Sequence, residues 1–131
     1  MSEANFVAEV LADKNQPVVL FALEWCEFCW SVRKFFKRLD IPYRSVDLDS
    51  VEYQQDSRGR NVRDVLEART GMKTIPQIFV GGEHVGGCTD VFDTWKTGDF
   101  QRLLDKAGVA YRHDLEIEPY SFLPEWLHPR A

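Results

Sequence analysis

The stretch Val18-Val19-Leu20-Phe21-Ala22-Leu23-Glu24-Trp25-Cys26-Glu27-Phe28-Cys29-Trp30 runs from an unbroken apolar segment into two cysteines with two residues between them. The apolar run is rich in strand formers and is bounded by Pro17 and Glu24, the pattern of a strand buried on both faces. From Cys26 onward the period changes. Cys29, Trp30, Val32, Phe35, Phe36 and Leu39 recur at helical spacing, and Arg33, Lys34, Lys37 and Arg38 fall mostly on the opposite side. This predicts a helix that stops at Asp40-Ile41-Pro42 and begins at Cys26. Unpaired N–H groups and the helix dipole at such a terminus favour a thiolate, which makes Cys26 the expected nucleophile. Cys29 lies roughly one turn further on, within disulfide reach and on the apolar stripe, and is the expected resolving thiol. The same pair would serve as half of a zinc site, but a second pair at ligand spacing is missing because His84, His113 and His128 are scattered.

Working outward, Tyr43 to Asp47 reads as a second strand, and the right-handed crossover rule makes it parallel to the first. Residues 48–60 are polar and read as irregular, after which Val62, Val65 and Leu66 mark a helix ended by Gly71. Gln77 to Val80, the turn Gly81-Gly82 and Glu83 to Val85 predict a hairpin. Thr89 or Asp90 is the expected N-cap of a final helical region interrupted near Gly98. Before all of these, Phe6, Val7, Val10 and Leu11 predict a short helix that follows Ser2 and ends near Lys14-Asn15.

Composition narrows the function classes. The 131 residues suit one domain. Sixteen basic against 21 acidic residues leave a net charge of −5 with no Lys/Arg block, which argues against a nucleic-acid partner. The longest apolar run, Val18 to Leu23, is too short to span a bilayer, and no membrane association is expected. Met1-Ser2-Glu3-Ala4-Asn5 has neither the positive start nor the apolar stretch of a signal peptide, so a cytoplasmic location is expected. Three cysteines have the wrong parity for a disulfide-stapled fold and call for a chemical explanation or burial.

Further along the chain stands Lys73-Thr74-Ile75-Pro76-Gln77. A proline entering a strand cannot donate to the ladder, and a cis Ile75–Pro76 bond would leave the backbone groups of residue 75 free for an extended substrate. An ordinary trans proline at a strand start is the alternative. Taken together, Phe21 through Cys29, Thr74 through Val80 and Gly86-Gly87-Cys88-Thr89-Asp90 resemble the three signatures of the dithiol glutaredoxins, over a region from Phe6 to about Val109.

The resemblance implies an α/β thioredoxin-like fold, with a central four-stranded mixed sheet and helices on both faces, as the element order also suggests. It implies a glutaredoxin domain over residues 1–109, a cis proline at Pro76 and glutathione as co-substrate, with no metal. By position, Thr74 and Ile75 would pair with the cysteinyl part of glutathione. Gly87, Thr89 and Asp90 would hold the γ-glutamyl end, and Arg63 and Lys73 the glycine carboxylate; solvated surface charge and a helix cap are the plain alternative for Arg63, Lys73 and Asp90. Cys88 is expected to be small, semi-buried packing. The family usually has Pro and Tyr where this chain has Glu27 and Phe28, and Lys where it has Leu23. A carboxylate near the sulfur disfavours its thiolate, and Leu23 removes a helpful cation.

The implied activity is reduction of disulfide-containing and glutathionylated proteins by a monomer. A rival is an iron–sulfur cluster binding module, in which two chains share a cluster through Cys26 and glutathione. Trp25 and Trp30 are expected to pack, with Trp25 also placed to line a substrate groove. Residues 110–131, rich in aromatics and prolines, are expected to be extended and either docked on the domain or contacting a partner.

Overall fold

The computed structural model describes residues 2–123. The elements are α1 (Glu3–Ala12), β1 (Val18–Ala22), α2 (Glu27–Arg38), β2 (Arg44–Asp47), α3 (Val51–Gln54), α4 (Arg58–Thr70), β3 (Gln77–Val80), β4 (Glu83–Gly86), α5 (Cys88–Thr97) and α6 (Asp99–Lys106). Single 3₁₀ turns lie at Gln55–Ser57 and Pro119–Phe122. The sheet order is β2-β1-β3-β4, with β1 parallel to β2 and antiparallel to β3, and β3 antiparallel to β4. This is the expected four-stranded mixed sheet of the thioredoxin-like fold.

All five residues of β1 are buried because its alternating side chains enter two different cores. Val18, Leu20 and Ala22 join Ile78 and Val80 under α2, α5 and α6, where Phe35, Phe36, Phe92 and Phe100 gather. Val19 and Phe21 join Phe79 under α1 and α4, against Val7, Val10, Val62 and Leu66. Each fully buried aromatic of this kind stabilises the fold by about 1.5–3 kcal/mol. A strand covered on both sides needs no polar alternation, which is why its sequence is a continuous run. Its C-terminal end delivers the chain directly to Cys26.

Several local expectations are corrected. α1 ends at Ala12, ahead of the predicted Lys14-Asn15, and β1 ends at Ala22 rather than Leu23. Residues 48–60 are largely helical, in α3, a 3₁₀ turn and the start of α4. Only a narrow face of this segment is apolar, through buried Tyr53 and Gly59, so its polar composition conceals the helix. Gly59 is tightly constrained, since a Cβ there would lie 2.0 Å from the Leu48 carbonyl oxygen. α5 is capped by Gly87, not by Thr89 or Asp90. Asp90 sits within the first turn and reaches back, its Oδ2 accepting the Gly87 N–H at 2.8 Å.

The chain after α6 returns across α2 and α5. The Phe122 ring lies 5.8 Å from Phe35, Tyr120 5.6 Å from Phe92 and Tyr111 5.8 Å from Trp95. The Arg112 N–H donates to the Leu39 carbonyl at 2.8 Å, and Leu123 is buried. Pro119 opens a 3₁₀ turn where an extended path was expected; its fixed φ suits the first position of such a turn. Pro124, Trp126, His128 and Pro129 lie outside the described residues.

Candidate functional site

Cys26 is the N-cap of α2, with extended backbone at φ −149° and ψ 117°, and its Sγ accepts the Cys29 N–H at 3.4 Å. The sulfur therefore takes the place of the side-chain oxygen that ordinarily caps a helix, and it points where the orphan N–H groups converge. Cys26 is partly exposed and Cys29 is 0% exposed, and both are free thiols. Burial pushes the Cys29 thiol up to about 12, and its contact with Cys26 acts in the same direction. Of the two thiols, the partly exposed cap is the one open to a reagent from solvent.

The turn from β1 into α2 is tied down from several sides. The Glu24 N–H donates to Asp49 Oδ1 at 2.7 Å, and Trp30 Nε1 donates to the Glu24 carbonyl at 2.9 Å. Arg33 pairs with Asp47 at 2.6 Å and approaches the Leu23 carbonyl at 3.5 Å. Trp25 and Trp30 do not pack into the core: they are 80% and 41% exposed, with ring centroids 6.1 Å apart. Trp25 lies on the connection ahead of α2, and the indole N–H of Trp30 is anchored outward on the loop.

The Ile75–Pro76 peptide bond is cis, and Pro76 is buried. The Gly86-Gly87 turn runs alongside, so that a Cβ on Gly87 would meet the Pro76 carbonyl oxygen at 3.5 Å. Gly86 adopts φ +126°, and a Cβ there would fall 2.3 Å from Asp90 Oδ2. Only glycine leaves room for the carboxylate to fold back over the turn. Thr89 and Asp90 are exposed beside it, and Cys88 is buried, its thiol pushed up to about 12 by that burial.

On the other side of Ile75, a cleft of about 680 Å³ is lined by Leu23, Arg60, Arg63, Lys73 and Thr74 among others. Arg63 donates from Nη2 to the Lys73 carbonyl at 3.4 Å, which brings helix α4 and the loop before β3 together. The structure thus groups Arg63, Lys73 and Thr74 in one cleft and Gly87, Thr89 and Asp90 at one helix terminus, with Ile75-Pro76 between them. Among the described residues, no group of three or more His, Cys, Asp or Glu is arranged to hold a metal ion.

Two residues of this region escaped the sequence reading. Asp49, in the segment read as irregular, holds the loop ahead of Cys26. Gln77 is 0% exposed at the start of β3, with its side-chain amide bonded to the loop that carries Thr74 and Ile75. The available signal was an amide standing where the strand pattern asks for an apolar residue.

The glutaredoxin family model matches residues 18–85, from the first strand through the hairpin. This chain belongs to the glutaredoxin family. It is 34% identical over 103 residues to the rice monothiol glutaredoxin-S10, covering 79% of this chain and 59% of that relative. It is 39% identical over 90 residues to the chloroplastic glutaredoxin-C5 of Arabidopsis thaliana, covering 69% and 49% respectively. The chain thus spans only about half to three-fifths of these curated relatives. Among solved structures, a crystal structure of a buckwheat glutaredoxin–glutathione complex superposes with a TM-score of 0.73 at 29% identity, covering 82% of this chain and 92% of that one. The rice relative is named a monothiol glutaredoxin, whereas this family member carries Cys29 behind Cys26.

Proposed function

We propose that the chain is a glutathione-dependent thiol–disulfide oxidoreductase acting on glutathione mixed disulfides and protein disulfides. The observation that carries this reading is the division of the two thiols, an accessible sulfur capping α2 at Cys26 and a fully buried one at Cys29. The Cys26 thiolate attacks the glutathione sulfur of a glutathionylated protein. The old S–S bond breaks, and the protein thiolate leaves and takes up a proton. A second glutathione thiolate then attacks the Cys26–glutathione disulfide, releasing glutathione disulfide and reduced Cys26. With a protein disulfide, Cys29 instead attacks Cys26 within the mixed disulfide, and two glutathiones reduce the resulting Cys26–Cys29 bond.

Glutathione offers one ammonium and two carboxylates, and the polar groups on either side of Ile75 suit that pattern. Arg63 and Lys73 take the glycine carboxylate, the Thr74-Ile75 backbone takes the cysteinyl part, and Gly87, Thr89 and Asp90 take the γ-glutamyl end. The Asp90 oxygen not bonded to the Gly87 N–H remains available for the ammonium. The glutathione named with the buckwheat structure adds support. The test is reduction of a glutathionylated peptide coupled to glutathione reductase. Cys26→Ser is expected to abolish turnover, and Cys29→Ser to keep it while losing activity on protein disulfides. Equal loss in both variants on the glutathionylated peptide would overturn the assignment.

A further inference from the structure

We infer that Gln77 is the positioning residue that turns the Ile75 N–H outward to the glutathione site. The inference rests on the function proposed above and assigns one of its parts to a residue that touches neither thiol. Gln77 begins β3 opposite Phe21 and shares with Phe79 the sheet face turned toward α4, and its side chain is wholly buried there. A buried primary amide must place two N–H donors and one carbonyl, and each left unmade would be penalised. Gln77 spends both donors on the preceding loop, with Nε2 2.7 Å from the Met72 carbonyl oxygen and 3.2 Å from that of Thr74. Its Oε1 lies 3.3 Å from Thr70 Oγ1, at the end of α4. Thr70 Oγ1 in turn accepts the Met72 N–H at 3.1 Å.

The bond to Thr74 has a geometric consequence. In a trans peptide unit the C=O and the following N–H point in opposite directions. Drawing the Thr74 carbonyl inward to Gln77 therefore aims the Ile75 N–H away from the core. Ile75 lies outside the β3 ladder, which starts at Gln77, and among the described residues no acceptor takes its N–H. The second bond, to Met72, fixes the same loop on the far side of Lys73, whose carbonyl receives Arg63. One side chain thus sets a backbone donor and the base of a cationic side chain with respect to the Arg63 cleft. An apolar residue of equal size would fill the space and satisfy the strand, yet leave the Thr74–Ile75 peptide free to rotate.

The test compares the parent protein with Gln77→Met, which keeps the volume and removes the amide, and with Thr70→Val, a milder change that removes only the hydroxyl beside Gln77 Oε1. With a glutathionylated peptide as substrate, Gln77→Met is expected to raise the apparent KM about fivefold, the scale of one misplaced hydrogen bond. It should leave kcat within about twofold, and Thr70→Val should shift KM in the same direction by less. Alkylation of Cys26 by iodoacetamide, which needs no glutathione site, is expected to be unchanged. A lowered Tm with unaltered KM would overturn the inference by reducing Gln77 to a structural amide. So would a change in Cys26 alkylation that accounts for the whole loss. Amide hydrogen exchange on the parent protein gives an arm independent of folding and turnover. The Ile75 N–H should exchange freely alone and become protected when glutathione disulfide is added to Cys26→Ser; protection in the free protein would refute the geometry. If the parent does not turn over the peptide at all, the proposed function fails, and the exchange result for free Ile75 still decides the orientation.

Discussion

Under the function proposed above, burial of Cys29 makes the resolving step, Cys29 attacking a Cys26–protein disulfide, dependent on hydroxide beyond the range of an exposed thiol. In the reduced protein the buried Cys29 thiol is pushed up from its ordinary 9.0 to about 12, first by loss of solvent and then by the hydrogen bond with Cys26. Once Cys26 is in a mixed disulfide, the thiol hydrogen bond and any charge on Cys26 are gone, while the burial remains. The operative value then lies between those two limits, and the reactive thiolate fraction at pH 7 lies between about 10⁻² and 10⁻⁵. Below the titration point, each pH unit multiplies that fraction by ten. The resolving rate is therefore expected to rise about tenfold per unit from pH 6.5 to 8.5 and to keep rising beyond pH 9.0, where an exposed thiol would already be half ionised. The assay is single turnover: Cys26 is loaded with a fluorescent peptide through a disulfide, and peptide release is followed after a pH jump, with the Cys29→Ser protein as the zero. A rate half-maximal at pH 9.0 and level by pH 10 would show that Cys29 ionises as an exposed thiol does, and the argument from burial would be wrong.

The charges of the cleft and the third thiol give two further expectations. Neutralising Arg63 and Lys73 together to Gln should weaken apparent affinity for a glutathionylated peptide by up to about thirtyfold, since each exposed contact contributes about 1 kcal/mol or less. The effect should shrink as salt rises, and Cys26 alkylation should stay as in the parent; an unchanged KM would remove both residues from the site. Cys88, whose thiol burial also pushes up to about 12, keeps its proton in the folded protein above pH 9.0, where the unfolded chain releases it. The stabilising contribution is complete below pH 9.0 and is lost as pH rises from there toward 12. Urea unfolding at pH 8.5 and 10 should show Cys88→Ala losing about 1 kcal/mol less than the parent over that interval, and parallel losses would refute the burial argument.

Periodicity and local chemistry are legible along the chain before it folds. The continuous run Val18 to Leu23 announced a strand buried on both faces, and the shift to helical spacing after Cys26 placed one thiol at a helix start and the other inside. Gly71, Gly81-Gly82 and Gly98 marked the ends of elements, and the residues around Pro76 and Gly87 carried the family likeness. Other features depend on partners distant in the chain. The segment 48–60 proved helical because Tyr53 and Gly59 find cover that its composition does not announce. Trp30 stayed outside because the Glu24 carbonyl, held in a loop fixed by Asp49, takes its indole N–H. Asp90 turned out to cap Gly87 from within the helix because a glycine at position 86 leaves room for its carboxylate. Gln77 reads as one polar letter in an apolar strand until the fold closes α4 and the Met72–Thr74 loop around it. An amide's role is set by which carbonyls lie within about 3 Å of its nitrogen, and that distance exists only after the chain has packed.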